Sequence, residues 1–469
     1  RSMMLYNSQQ RYMMVSRLLH IAAKKPQTFK QALQLVWMYA ACSDLMNYGR
    51  MDNYLGDFYA NDLEQGILDE EEAIRWLSSF YRHVIEVGKI HDSRILIGGV
   101  GRKHPEVADR LALVLIETSR RVKDVVPQLT LRYYSGMNEE LMKKTLQNIQ
   151  EGAVYPIVYS DDTVVPSVEK SYGIGREMAE NWLPFGCGEY VIEGYGAGTP
   201  NTGATLPIIL DVLLHRGVNS FTGKRETPDW GDPATFETFE QLFDAYDRMM
   251  QPIVEDMAYH EQYNYEVAGE EAGYLFASLL LHDCVEQGKA AFDGGVRYLC
   301  ATCEIFGLIT FADSLTAIKK RVYDEKRFTL PELIHMLDVN YEGYEEEHQL
   351  MVTAPKYGND DEEADAMAVR VFHHIARMHE EAGSRTSLYR FKIVSVNNSG
   401  SAERGAITPA TPCGRLKGVA LSNGNSPSLG GDKNGLTATL NSMAKFGPAD
   451  HVGLVHNIRF KRDMLRQNF

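Results

Sequence analysis

Only six cysteines are scattered through 469 residues, too few and too dispersed for a disulfide framework, which makes a reducing cytoplasm the expected location. No apolar run approaches the roughly 20 residues needed to cross a bilayer. The N-terminal stretch, RSMMLYNSQQRYMMVSRLLHIAAKK, is too polar and too basic along its length for a signal peptide. Basic residues are also in deficit: 48 Lys and Arg stand against 63 Asp and Glu, a net charge of −15. Nucleic-acid proteins need concentrated cations to release counterions, so this balance argues against a phosphate-backbone binder. Neither nucleic acid nor membrane is expected as a partner. Internal repeats and low-complexity linkers are missing too.

What remains is an ordinary globular composition, 44% apolar and 24% charged, in a chain long enough to bury a large core. After Pro26, TFKQALQLVWMYAA reads as a buried helix starting at Thr28. Residues 69–88 form the clearest helix: Asp69 caps it, Glu72 sits three residues on, and Ala73, Leu77, Phe80, Val84 and Val87 repeat at steps of four and three. Thr329-Leu330-Pro331-Glu332 is a second start, a capping box before ELIHML. Strand-like runs fall between helices at Ile95–Ile97, Leu129–Tyr134, Pro156–Tyr159 and Phe391–Val396. That alternation indicates an α/β architecture with central strands covered on the outside. Residues 397–435, rich in Gly, Ser, Asn and Pro, read as a long ordered loop, which in a compact chain is more often functional than idle.

The most unusual local sequence is Trp182-Leu183-Pro184-Phe185-Gly186-Cys187-Gly188-Glu189-Tyr190. Pro184, Gly186 and Gly188 exclude a regular helix or a central strand and set the cysteine at the crest of a tight loop. In extended backbone, residues two apart project to one side, so Cys187 and Glu189 can face one substrate. Sulfur can then exchange a hydrogen atom while the carboxylate moves a proton. Two other readings stay open on the residues alone. A lone Cys is commonly a small buried hydrophobe, and a nucleophilic thiol would need a base such as His, which none of the 14 histidines visibly supplies.

Gly186-Cys187-Gly188-Glu189 resembles the active-site loop of glycyl radical enzymes, the pyruvate formate-lyase-like superfamily, in its Cys-x-Glu dehydratase and decarboxylase branch. Four further segments are similar to that family in the same order: Gly49-Arg50-Met51-Asp52-Asn53-Tyr54-Leu55; Gly294-Gly295-Val296-Arg297-Tyr298 with Ala312-Asp313-Ser314-Leu315; Pro355-Lys356-Tyr357-Gly358-Asn359-Asp360; and Thr411-Pro412-Cys413-Gly414-Arg415 with Gly431-Asp432-Lys433-Asn434-Gly435. The resemblance implies a ten-stranded α/β barrel of two half-barrels, with the cysteine loop at its centre and helices outside. It implies that residues 1–469 are the barrel domain, with residues 401–469 leading toward a C-terminal glycyl radical domain. It also implies that Cys187 attacks substrate as a thiyl radical and that Glu189 is its acid/base partner. Burial would favour the neutral form of Glu189, and a neighbouring cation its ionised form.

The implied cofactor is a glycyl radical, made by a radical S-adenosylmethionine activating enzyme; S-adenosylmethionine and the iron–sulfur cluster belong to that enzyme alone. The other implied partners are a small-molecule substrate and a second copy in a homodimer. The family's radical motif, Arg-Val-x-Gly-Tyr, does not occur in the sequence. The expectation is a partial chain, short at both ends, with a separate small glycyl-radical-domain subunit as the alternative. Polyol eliminases of the family carry a His-Asp pair downstream of Cys-x-Glu; here Asn201 takes the place of that Asp, and Asp44 falls near the polar substrate contacts of glycerol-type enzymes. These two residues are the candidate substrate contacts, and they set this chain apart from glycerol, propanediol and choline enzymes. The expected reaction is anaerobic C–O or C–C cleavage, with radical decarboxylation and a radical-incompetent scaffold as alternatives.

Other features carry less. Gly194-Tyr195-Gly196-Ala197-Gly198-Thr199 lacks the Lys-Ser/Thr of a P-loop and reads as close backbone packing. Cys300 and Cys303 have the spacing of half a zinc site but no second pair, so they read as core thiols. His373, His374 and His379 fall on a helix over Ala366–Glu381, where solvated or capping roles are expected. The acidic run Asp360–Glu363 reads as a solvated helix start.

Overall fold

The structure, a computed structural model, describes residues 23–43, 47–88, 93–197, 201–396, 399–447, 450–459 and 463. The chain divides into two compact units. The first comprises Arg1–Val165, Gly175–Gly186 and Phe460–Phe469, and the second Pro166–Ile174 and Cys187–Arg459.

In the first unit β1 (Asn47–Arg50), β2 (Arg94–Gly98), β3 (Gln128–Tyr133) and β4 (Ile157–Ser160) form a parallel sheet in sequential order. Parallel neighbours need crossovers, and helices supply them. Ile95, Ile97, Leu129 and Leu131 pack on the helix side with Leu77, Phe80, Leu111 and Leu115. Alternation turns Arg94, Thr130 and Arg132 to the opposite face, where they are nevertheless buried. The helix Glu70–Val87 starts where its sequence says: Asp69 accepts from the Glu72 amide at 2.7 Å, and Gly88, at φ 74°, ends it. Val87, counted in its apolar stripe, is exposed in the last turn. Before the cysteine, β5 (Trp182–Phe185) lies in this unit; after it, β6 (Glu189–Ile192) lies in the second.

In the second unit β7 (Asn201–Thr205), β8 (Cys300–Phe306), β9 (Arg390–Ser395) and β10 (His451–Leu454) form another sequential parallel sheet. Ala204, Ala301, Cys303, Ile305, Phe391 and Ile393 pack under helices Phe239–Glu271, Leu308–Ile318 and Glu362–Gly383. All eleven residues of Leu308–Ile318 are buried. Thr329 and Glu332 make the reciprocal capping box, and Asp361 caps Glu362–Gly383 by accepting from Ala364 N at 3.0 Å.

The mixed α/β class therefore holds. Hydrogen bonding gives two separate four-stranded parallel sheets, and among the described residues no closed sheet of ten strands. Residues 397–435, read as loop, include a short helix, Gly400–Ala406. Cys300 and Cys303 are core thiols within β8, pushed up to about 12 by burial. His379, expected to be solvated or capping, is instead fully buried with Nδ1 on the Ile375 carbonyl at 2.8 Å. No helix among the described residues is long and apolar enough to cross a membrane.

Candidate active site

Three buried arginines of the first unit fix the strand that leads to the cysteine. Arg132 lies in a two-pronged pair with Asp161, Nε to Oδ1 and Nη2 to Oδ2, both at 2.9 Å and without solvent exposure. It also donates to the carbonyls of Trp182 at 2.8 Å and Glu180 at 3.0 Å, while Trp182 Nε1 donates to Asp161 at 3.0 Å. A buried charge left unpaired costs several kcal/mol, and this network satisfies both partners. Gly99 is required beside it, since a Cβ there would stand 2.8 Å from both Arg132 Nε and Asp161 Oδ2. Arg50 donates to the Val100 carbonyl at 2.7 Å and to the Glu180 carbonyl at 3.4 Å. Arg94 reaches the residue just before the cysteine: Nη2 donates to the Gly186 carbonyl at 2.7 Å, and its other bonds go to Thr130 and Gln128. A charge within or just before a strand-like run, Arg132 in Leu129–Tyr134 and Arg94 before Ile95–Ile97, is the only trace of these positions in the sequence, and it does not name their partners.

In the second unit Cys187 is half-buried and its thiol is not in a disulfide. Residues 186–188 form the turn, and Gly188, at φ 139°, takes a conformation that a side chain would strain. Glu189, 7% exposed, begins β6, so the carboxylate rides on a strand rather than a loop. Its Oε2 accepts from the Gly188 amide at 3.0 Å. Gly453 of β10 abuts the turn so closely that a Cβ there would meet the Gly188 carbonyl at 2.7 Å. Beyond the turn the Tyr172 hydroxyl donates to the Tyr190 carbonyl, and the Tyr190 ring lies 5.7 Å from that of His451. Farther along, the Tyr298 amide donates to the Tyr195 carbonyl at 3.0 Å, and Gly196 bridges Tyr298 in parallel. The glycines at 194 and 196 serve this packing: added Cβ atoms would lie 2.8 Å from the His282 ring and 3.0 Å from Val191.

A second carboxyl belongs to this region. Glu304 of β8 is pushed up to about 7, first by burial and then by the negative charge of Glu189, with Arg404 acting in opposition. Glu189, which follows the cysteine turn, thus acts electrostatically on Glu304. Asn201 opens β7, where its backbone pairs with Thr302; its side chain, like all of Asp44, lies outside the described residues. A reduced thiol at the crest of a braced turn, beside a buried carboxylate, fits a hydrogen-atom relay to a protein radical.

Residues 9–400 match the family described as pyruvate formate lyase-like. The chain belongs to that family. Among the relatives of this pyruvate formate lyase-like chain is trans-4-hydroxy-L-proline dehydratase of Clostridioides difficile, 28% identical over 471 residues, covering 94% of this chain and 58% of that protein. Isethionate sulfite-lyase of Oleidesulfovibrio alaskensis is 27% identical over 467 residues, covering 92% and 55%. The crystal structure of the C. difficile hydroxyproline dehydratase with its substrate bound superposes with a TM-score of 0.87 at 27% identity, over 94% of this chain and 58% of that one. The glycerol-bound B12-independent glycerol dehydratase of Clostridium butyricum gives 0.85 at 25%, over 94% and 58%. The chain thus spans less than two thirds of the length of these relatives.

Proposed function

We propose that this chain is the substrate-cleaving part of a glycyl radical lyase, a dehydratase acting on a small hydroxylated organic molecule without oxygen. The observation that carries the reading is the braced Cys187–Glu189 turn in a member of the pyruvate formate lyase-like family. A glycyl radical, introduced by a radical S-adenosylmethionine activating enzyme with its iron–sulfur cluster, supplies the unpaired electron when present. Cys187 Sγ then removes a hydrogen atom from substrate carbon and later returns it. Glu189 takes the proton of the neighbouring hydroxyl, and the braced turn holds the two groups in one register.

In the complete protein we assign residues 1–469 to a single ten-stranded barrel domain of two half-barrels. The two sequential parallel sheets, one in each unit, support this. Residues 401–469 lead toward the domain that carries the glycine. Asp44 and Asn201 are assigned as substrate contacts on sequence grounds, with a homodimer in the cytoplasm as the working assembly. Names among the relatives, a dehydratase of a hydroxylated ring amino acid and a lyase of a hydroxysulfonate, support small polar substrates.

The test is Cys187→Ser in the complete, activated enzyme. Turnover is expected to vanish while the fold is retained, because the serine O–H bond is too strong to take part in the relay. Substantial activity in that variant, by product analysis under anaerobic conditions, would end the radical assignment.

A further inference from the structure

We infer that Glu304 is the proton donor to the leaving group, so that two carboxyls divide the acid and base work of the site. The inference rests on the radical dehydratase reading and adds a residue to it. Its geometric basis is the second unit's sheet. Ala301, Cys303 and Ile305 of β8 point into the helix-packed core, so alternation turns Glu304 to the opposite face. On the neighbouring strands Glu304 is in register with Gly203 of β7 and Val394 of β9. Neither of these offers a charge or a side-chain hydrogen bond. The cysteine-bearing segment is tied to this sheet at two places: Gly188 lies against Gly453 of β10, and Tyr195–Gly196 runs beside Tyr298, two residues before β8.

The charged groups acting on Glu304 are Glu189 from β6 and Arg404 from helix Gly400–Ala406. Arg404 stands over the Phe306 ring, 5.1 Å from its centroid. Glu304 is half-buried, and among the described residues its carboxyl has no hydrogen-bond partner. Glu189, by contrast, already accepts from the Gly188 amide. Burial and the neighbouring negative charge together bring Glu304 up to about 7, so near neutral pH a large fraction of it carries the proton that a departing hydroxide needs. Two titratable groups pushed apart by their surroundings commonly divide acid and base roles.

The step balances as written. Cys187 sulfur takes a hydrogen atom from the carbinol carbon, and Glu189 takes that carbon's hydroxyl proton. The adjacent C–O bond breaks with both electrons leaving on oxygen, and the Glu304 proton turns the departing hydroxide into water. The hydrogen atom returns from Cys187 to the product radical, and transfer of a proton from Glu189 to Glu304 restores both carboxyls.

Glu304→Gln, with Glu304→Asp as the conservative control, tests this. In the unactivated protein, infrared titration of isotope-labelled Glu carboxyls should show two protonated carboxyls lost near pH 7, those of Glu261 and Glu304, and in Glu304→Gln only the Glu261 component should remain. In the activated complete enzyme, kcat of the wild type should fall above pH 7. Glu304→Gln should lower kcat about 10²- to 10³-fold, leave KM within a few-fold and abolish that alkaline limb, and Glu304→Asp should recover part of the rate. Wild-type kcat with an intact alkaline limb in Glu304→Gln, while Cys187→Ser is dead, overturns the role of Glu304 alone. Activity in Cys187→Ser removes the radical reading beneath it.

Discussion

Glu189 holds its carboxyl one residue from the amide that donates to it, Gly188 N at 3.0 Å. This local bond ties the carboxyl to the cysteine turn. Replacing Glu189 by Gln keeps the shape and removes the base. Its loss is expected to lower kcat about 10²- to 10³-fold while the glycyl radical signal of the activated enzyme is undiminished in electron paramagnetic resonance. Unchanged turnover would remove the acid/base role. The turn at Cys187 was legible because Pro184, Gly186 and Gly188 disfavour helix and central strand there. Glu304 was not legible. One carboxyl in the run CATCEIF has no meaning until the fold brings Glu189 close enough to raise its proton affinity. The same holds for Arg94 and Arg132, whose partners lie 92 and 29 residues away in sequence.

At the scale of elements, the sequence spoke where the physics is local. Asp69 and Thr329 announce their helices because a cap is a bond between residues three apart. The strands β2, β3, β4 and β9 stood out as short apolar runs between helices. The others did not: β8 is covered on both faces and shows no alternation, and β1, β7 and β10 are four or five residues long with glycine inside. One of those glycines serves the site. In β10, Gly453 at φ 152° lets the strand approach the Gly188 carbonyl. Gly453→Ala adds a methyl 2.7 Å from that oxygen, a contact that backbone must yield to. The expected result is a shifted cysteine turn, with kcat down at least about tenfold by misplacement of the reacting groups and a modest loss of stability. Anaerobic kinetics paired with a thermal melt would check this, and an unaltered kcat would show that β10 does not brace the turn.

Across the molecule, buried titratable groups of opposite kinds set the response of the second unit to pH. Burial pushes His379 and His451 down to about 4. Between pH 4 and their unfolded value near 6.5, the unfolded chain binds more protons than the folded one, so these histidines make stability fall as pH drops through that window. Burial pushes Glu261 up to about 7, and Asp313 up to about 6. A raised carboxyl acts in reverse: its folded form keeps a proton that the unfolded form has released, so stability is fullest below the unfolded value and is lost as pH rises to 7. Glu304, raised to about 7, adds to the carboxyl side, so the two kinds oppose each other over the same interval and each masks part of the other's slope. Removing one side exposes the other. Glu261 is fully buried on the helix Phe239–Glu271, and Glu261→Gln retains its volume without a titrating proton. Relative to wild type the variant should gain stability as pH rises from 4.5 to 7, by on the order of 2 kcal/mol, and hold that gain above 7. Denaturant midpoints of both proteins across this range measure the difference. Parallel curves would mean that Glu261 takes up no proton on folding, and that burial at this position is relieved by water.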